Sequence, residues 1–132
     1  MDYKLLIEKA FEARKNAYSP YSSFSVGAAL LCKNGMIYTG CNVESVSHTP
    51  TCCAERVAFF KAVSDGVRDF EAIAIVGAIS SAKDFGFCSP CGVCRQVMSE
   101  FCADDFKIIL TDSKGDQKIF TLSELLPLNF KL

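Results

Sequence analysis

The chain has 132 residues, half of them hydrophobic, enough for one domain around a buried core. Fourteen basic residues stand against 15 acidic ones for a net charge of −1, a balance that leaves no basic track for a polynucleotide. No apolar run reaches the ~18 residues a membrane span needs, and the start Met1-Asp2-Tyr3-Lys4 lacks the apolar stretch of a signal peptide, so no membrane partner and a cytoplasmic location are expected.

Residues 3–17 place Leu6, Ile7, Ala10, Phe11, Arg14 and Ala17 at helical spacing, with Asp2 as N-cap. Ser19-Pro20-Tyr21-Ser22-Ser23 ends that helix in a loop. A hairpin over 25–33 and 36–41 follows, turned by Asn34-Gly35 in a type I′ geometry. After a polar stretch, 42–51, a helix is expected from about Cys52 to Asp65, with Gly66 as its stop. Residues 70–79 and 106–111 are apolar runs suited to buried strands, with a short helix at 91–102 between them. Ser113-Lys114-Gly115-Asp116 turns into a strand at 117–121, and Ser123 to Leu126 is a last helical turn before Pro127. Strand–helix–strand units need crossover helices on the faces of a sheet, so the expected class is α/β: one domain of three layers, α/β/α, with a five-stranded mixed sheet.

Eight cysteines are many for a cytosolic chain, where metal binding and buried free thiols are the expected uses. Cys32, Cys41 and Cys102 lie in apolar contexts and read as small core hydrophobes. Cys53, in Cys53-Ala54-Glu55-Arg56, and the pair in Pro90-Cys91-Gly92-Val93-Cys94-Arg95 offer three thiolates at the starts of two helices. The positive ends of helix dipoles favour thiolates there. Three thiolates can hold a zinc ion with its fourth position open, and Glu55 is close enough to act on a water there but not to ligate easily. Three thiolates leave the centre with a net negative charge. Arg56 and Arg95, each following a ligand closely in sequence, are candidates to donate to sulfur and offset it. Other uses of the thiols are open at this point. Cys88, Cys91 and Cys94 form an iron–sulfur-like C-x2-C-x2-C without its usual continuation, since position 98 is Met98. Cys52 could close a four-thiolate structural site, and Cys91-x-x-Cys94 alone would suit a redox motif. The first two leave Glu55 without a role, and the third fits neither the element order nor Cys53.

The zinc-deaminase signature, H-x-E followed by P-C-x-x-C, is met here with Cys53 in the first-ligand place. Ser19 to Leu31, Gly40-Cys41-Asn42-Val43-Glu44, both cysteine motifs and Glu124-Leu125-Leu126-Pro127 extend the match along nearly the whole chain. The sequence thus resembles the cytidine deaminases of the small, homotetrameric type. The resemblance implies one Zn²⁺ per chain on Cys53, Cys91 and Cys94, with Glu55 as the proton shuttle. It implies hydrolytic deamination of cytidine and deoxycytidine in pyrimidine salvage. Asn42 and Glu44 would hold the ribose hydroxyls and Phe24 the pyrimidine face, with Ala54 also touching substrate. Phe130 would reach a neighbouring subunit's site in a homotetramer whose sites are shared. Residue chemistry agrees in part: Asn and Glu two apart on an extended segment point the same way and suit a hydroxyl, and a carboxylate there disfavours a phosphate. The Ser45–Thr51 segment departs from the family pattern. His48 stands where Tyr is common, as a subunit-contact or solvent residue. Phe59 and Phe60 on the second helix would permit a subunit contact. A deaminase of another small aminated nucleoside, or a non-catalytic zinc module, are the competing expectations.

Overall fold

The computed structural model describes residues 2–132. In chain order the elements are α1 (Lys4–Arg14), β1 (Phe24–Cys32), β2 (Ile37–Cys41), α2 (Ala54–Ser64), β3 (Phe70–Ile79), α3 (Gly92–Phe101), β4 (Lys107–Thr111), β5 (Gln117–Thr121) and α4 (Leu122–Leu125). They form one five-stranded sheet in the order β2-β1-β3-β4-β5. The β3/β4 pair is parallel, joined by the α3 crossover, and the other pairs are antiparallel.

Strand alternation sorts the core into two faces. Ile73 and Ile75 of β3 join Leu30, Ile108 and Leu110 under α2 and α3. Ala72, Ala74 and Val76 of the same strand join Ala29 and Ile109 under Leu6, Ile7 and Ala10 of α1. With both faces covered, β3 is buried almost end to end, which is why it is a continuous apolar run. The three-layer α/β/α architecture is the expected one. Phe59 of α2 packs on Phe70, Phe101 and Phe106, with ring centroids 5.1, 6.1 and 6.0 Å away, so this residue belongs to the chain's own core and is not free for a subunit contact. Phe60 beside it is exposed.

Local departures have local causes. Helix α1 ends at Arg14, and residues 15–17 continue with i→i+3 bonds from Lys15, Asn16 and Ala17 to Glu12, Ala13 and Arg14. Tyr3 takes the N-cap place, while Asp2, one residue further out, accepts from the Lys4 N–H at 2.9 Å. The hairpin turn is not type I′. Gly35 alone has positive φ there (91°), Gly35 N–H donates to Cys32 O, and Cys32 N–H donates to Met36 O. This is a three-residue loop in which Gly supplies the left-handed position.

Gly40 fixes how closely α2 approaches the sheet. A Cβ there would lie 2.3 Å from the Ala54 carbonyl oxygen and 2.7 Å from the Ala58 nitrogen, both backbone atoms that cannot swing aside. Gly40→Ala is expected to destabilise the fold by about 1–3 kcal/mol or more, as overpacking does, read as a lowered denaturation midpoint. An unchanged midpoint would refute this close packing.

Candidate metal centre and substrate cavity

Two helix N-termini meet at the site. Cys53 is the N-cap of α2 and Cys91 the N-cap of α3, both with extended backbone, and the Cys91 sulfur accepts from the Cys94 N–H at 3.4 Å. The Cys53 and Cys91 sulfurs are 3.9 Å apart, those of Cys91 and Cys94 3.4 Å, and all three lie within 4.8 Å of one another. Three sulfurs on one tetrahedral zinc at ~2.3 Å stand roughly 3.8 Å apart, so the spacing and the soft donor set both fit zinc. Cys88 and Cys52 stand outside this group, which disfavours the iron–sulfur and four-thiolate arrangements.

The electrostatics are those of a site built around thiolate. The Cys94 thiol, then the Arg56 guanidinium, hold the Cys53 thiol down to about 5. The same contact, then burial, raises Cys94. Arg56 Nη2 donates to the Cys53 sulfur at 3.3 Å. Glu55 lies in the first turn of α2 and is only 4% exposed. Burial, with the Cys53 charge adding to it, pushes its carboxyl up to about 7.

A cavity of about 350 Å³ opens beside the thiols. Phe24, Asn42, Glu44, Ala54, Glu55, Cys53 and Cys91 all border it, so four separate stretches of the chain converge there. The Asn42 side chain is tied into β1, its Oδ1 accepting from Val26 N–H and its Nδ2 donating to Phe24 O, each at 2.8 Å. The Glu44 carboxylate accepts from the Tyr21 and Ser22 N–H groups at 3.1 Å and from the Ser22 hydroxyl. The Ser22 hydroxyl, foremost, holds it below the usual carboxylate range.

One expected residue lies elsewhere. Arg95, a candidate sulfur donor, instead donates to Pro90 O at 2.8 Å and Leu125 O at 2.7 Å, because its planar fork meets carbonyls at the ends of the loop and of α4. It fastens the segment before Cys91 rather than a sulfur. Phe130 is 68% exposed on the C-terminal segment, where its carbonyl accepts from Gln96, and it does not border its own chain's cavity. The sequence reading missed Ser22, Val26, Thr51, Cys52, Cys88 and Ser89 in the cavity wall. Cys52 and Ser89 adjoin the cysteine motifs and were findable; Ser22 had no signal, since its partner Glu44 is 22 residues away. His48, at φ 63°, sits in a side cavity with Tyr21, Ser22 and Glu44.

An open pocket beside three converging thiols and a buried carboxyl is the architecture of a hydrolytic metalloenzyme. Residues 1–110 match the family described as the cytidine and deoxycytidylate deaminase zinc-binding region, and the chain belongs to that family. It is 53% identical to a cytidine deaminase of Sporosarcina psychrophila over 127 residues, covering 96% of this chain and 90% of the relative. It is 34% identical to a blasticidin-S deaminase of Bacillus cereus, covering 95% of this chain and 89% of that one. The crystal structure of cytidine deaminase from Burkholderia pseudomallei superposes with a TM-score of 0.89 at 44% identity, covering 98% of this chain and all of that one.

Proposed function

We propose that the chain hydrolyses the 4-amino group of cytidine and deoxycytidine, giving uridine and deoxyuridine and releasing ammonia. The observation that carries this is a buried carboxyl, Glu55, two residues from Cys53 and on the wall of a nucleoside-sized cavity. Cys53, Cys91 and Cys94 would hold one zinc, which when bound would supply the Lewis acidity that makes a water nucleophilic near neutral pH. The pyrimidine enters with C4 toward the thiols and Phe24 against its face. Glu55 accepts the proton of the attacking water and passes it to ring N3. With the water oxygen now bonded to C4, Glu55 carries the second proton of that water, from the new C4 hydroxyl, to the exocyclic nitrogen, so that C4=O forms as the C4–N bond breaks and neutral ammonia leaves. A carboxyl held near 7 by burial is suited to both accepting and donating. Arg56, on the Cys53 sulfur, withdraws thiolate charge from the metal.

Asn42 and Glu44 take the ribose hydroxyls with the lone pairs and N–H their protein partners leave free. Glu44→Gln keeps the acceptor for Tyr21 and Ser22 but removes the charge, and is expected to raise KM for cytidine roughly tenfold with little change in kcat. An unchanged KM would remove Glu44 from the ribose site. The finer reading, resting on family likeness, is a cytoplasmic enzyme of pyrimidine salvage, a homotetramer in which Phe130 reaches a neighbouring cavity.

The deciding experiment follows the fall in ultraviolet absorbance when zinc-assayed protein meets cytidine or deoxycytidine. Turnover with about one zinc per chain supports the proposal. Stoichiometric zinc with no turnover on either substrate overturns it in favour of another amine substrate.

A further inference from the structure

We propose that Ser113, on the turn between β4 and β5, is a positioning residue for the Cys91 thiol and acts through Phe85. The proposal rests on the reading of Cys91 as a zinc-holding residue.

Residues 80–91 connect β3 to α3 without regular structure, yet they supply Cys88, Ser89 and Cys91 to the cavity. A site needs its groups held to about 0.5 Å, and a loop without partners does not do this. Among the described residues, the backbone of 83–89 makes hydrogen bonds outside the loop only to Ser113. Phe85 N–H donates to Ser113 Oγ at 2.9 Å, and Ser113 N–H donates to Phe85 O at 3.0 Å. Both polar groups of one loop residue are therefore clamped by one serine.

That serine is on a firm base. Asp112 Oδ1 accepts from the Lys114 and Asp116 N–H groups at 3.0 and 2.9 Å, and Asp112 O accepts from Gly115 N–H at 3.2 Å, closing the turn around Ser113. The Phe85 ring packs on the α1 side of the core and lies 5.0 Å from the Arg14 guanidinium. Arg14 is itself fixed by donating to the Ser25, Ala78 and Ile79 carbonyls. Phe85 is thus held by backbone and by ring. The six residues from there to Cys91 have their far end fixed by Arg95 on Pro90. With both ends set, the Cys91 sulfur has a defined height over Cys53 and Cys94. Lys118, 4.7 Å over the Phe87 ring, is a weaker support between these ends.

The test compares zinc-loaded wild type, Ser113→Ala and Ser113→Thr by the rate of zinc release to a chromogenic chelator, with KM and kcat for cytidine measured in parallel. Ser113→Ala should keep the wild-type circular dichroism, release zinc roughly tenfold faster, as loss of an outer-shell support does, and raise KM more than it lowers kcat. Ser113→Thr keeps the hydroxyl and should restore the wild-type release rate. A folded Ser113→Ala that releases zinc at the wild-type rate overturns the proposal. Should Ser113→Ala fail to fold, Phe85→Leu, which keeps the clamped backbone but loses the ring on Arg14, is measured instead: faster release supports anchorage through Phe85 and an unchanged rate overturns it. A wild type that holds no zinc overturns the reading of the site and this proposal with it, whereas zinc-replete wild type with an unaffected Ser113→Ala overturns this proposal alone.

Discussion

Glu55→Gln is expected to retain about one zinc per chain and to lose at least ~10²–10⁴-fold in kcat, the usual contribution of a general acid–base. The substitution is nearly isosteric, so the packing around a residue that is 4% exposed is kept. The three thiols are untouched, so the metal site is kept as well. What goes is the ability to accept and return a proton. Uniform loss of binding would raise KM with kcat preserved. Loss of a proton carrier lowers kcat and kcat/KM together. Rate measurements by absorbance, with zinc content assayed on the same sample, separate these outcomes. Near-wild-type turnover would sink the assignment of Glu55 and with it the mechanism.

The second large effect is expected at Cys91. Cys91→Ala should weaken zinc binding by well over the ~10–100-fold seen for outer-shell partners, and turnover should fall to background. Two thiols do not complete the coordination of a zinc ion, and Cys88 stands outside the cluster, so no replacement is at hand. Cys91 is exposed and at the N-cap of α3, so the fold should survive as judged by circular dichroism. The loss can then be ascribed to the metal. A Cys91→Ala protein that keeps stoichiometric zinc through dialysis against a chelator would show that the ligand set is another one.

The parts of the site legible in the sequence are those held by short-range chemistry. Cys53-Ala54-Glu55-Arg56 and Pro90-Cys91 to Arg95 carry their geometry with them, since each begins a helix whose first turn sets the spacing of the side chains. The two-face core was legible because strand alternation and helical spacing are local rules. What depended on meetings across the fold was not. Arg95 beside Cys94 suggested a sulfur partner, but the carbonyl of Leu125, 30 residues away, is what its guanidinium meets. Asn42 reads as a ribose residue, yet half its work is to replace a backbone partner for β1 at Val26 and Phe24. Asn34-Gly35 announced a turn correctly but not its length. That was decided by Cys32 pairing with Met36. Cys88 looked like a third member of a spaced cysteine series. In the fold its sulfur occupies room left by Gly77, where a Cβ would come within 2.9 Å of it.

The sulfurs of Cys53 and Cys91 belong to helices on different segments, 38 residues apart in the chain. An unfolded chain does not hold them together, so zinc binds the native state far better than the denatured one. Metal affinity then becomes folding free energy, and stability rises by about 1.4 kcal/mol for each tenfold increase of free zinc above the dissociation constant. The denaturation temperature of this protein is therefore a readout of the zinc activity around it, and a chelator acts as a denaturant whose strength is set by its own affinity.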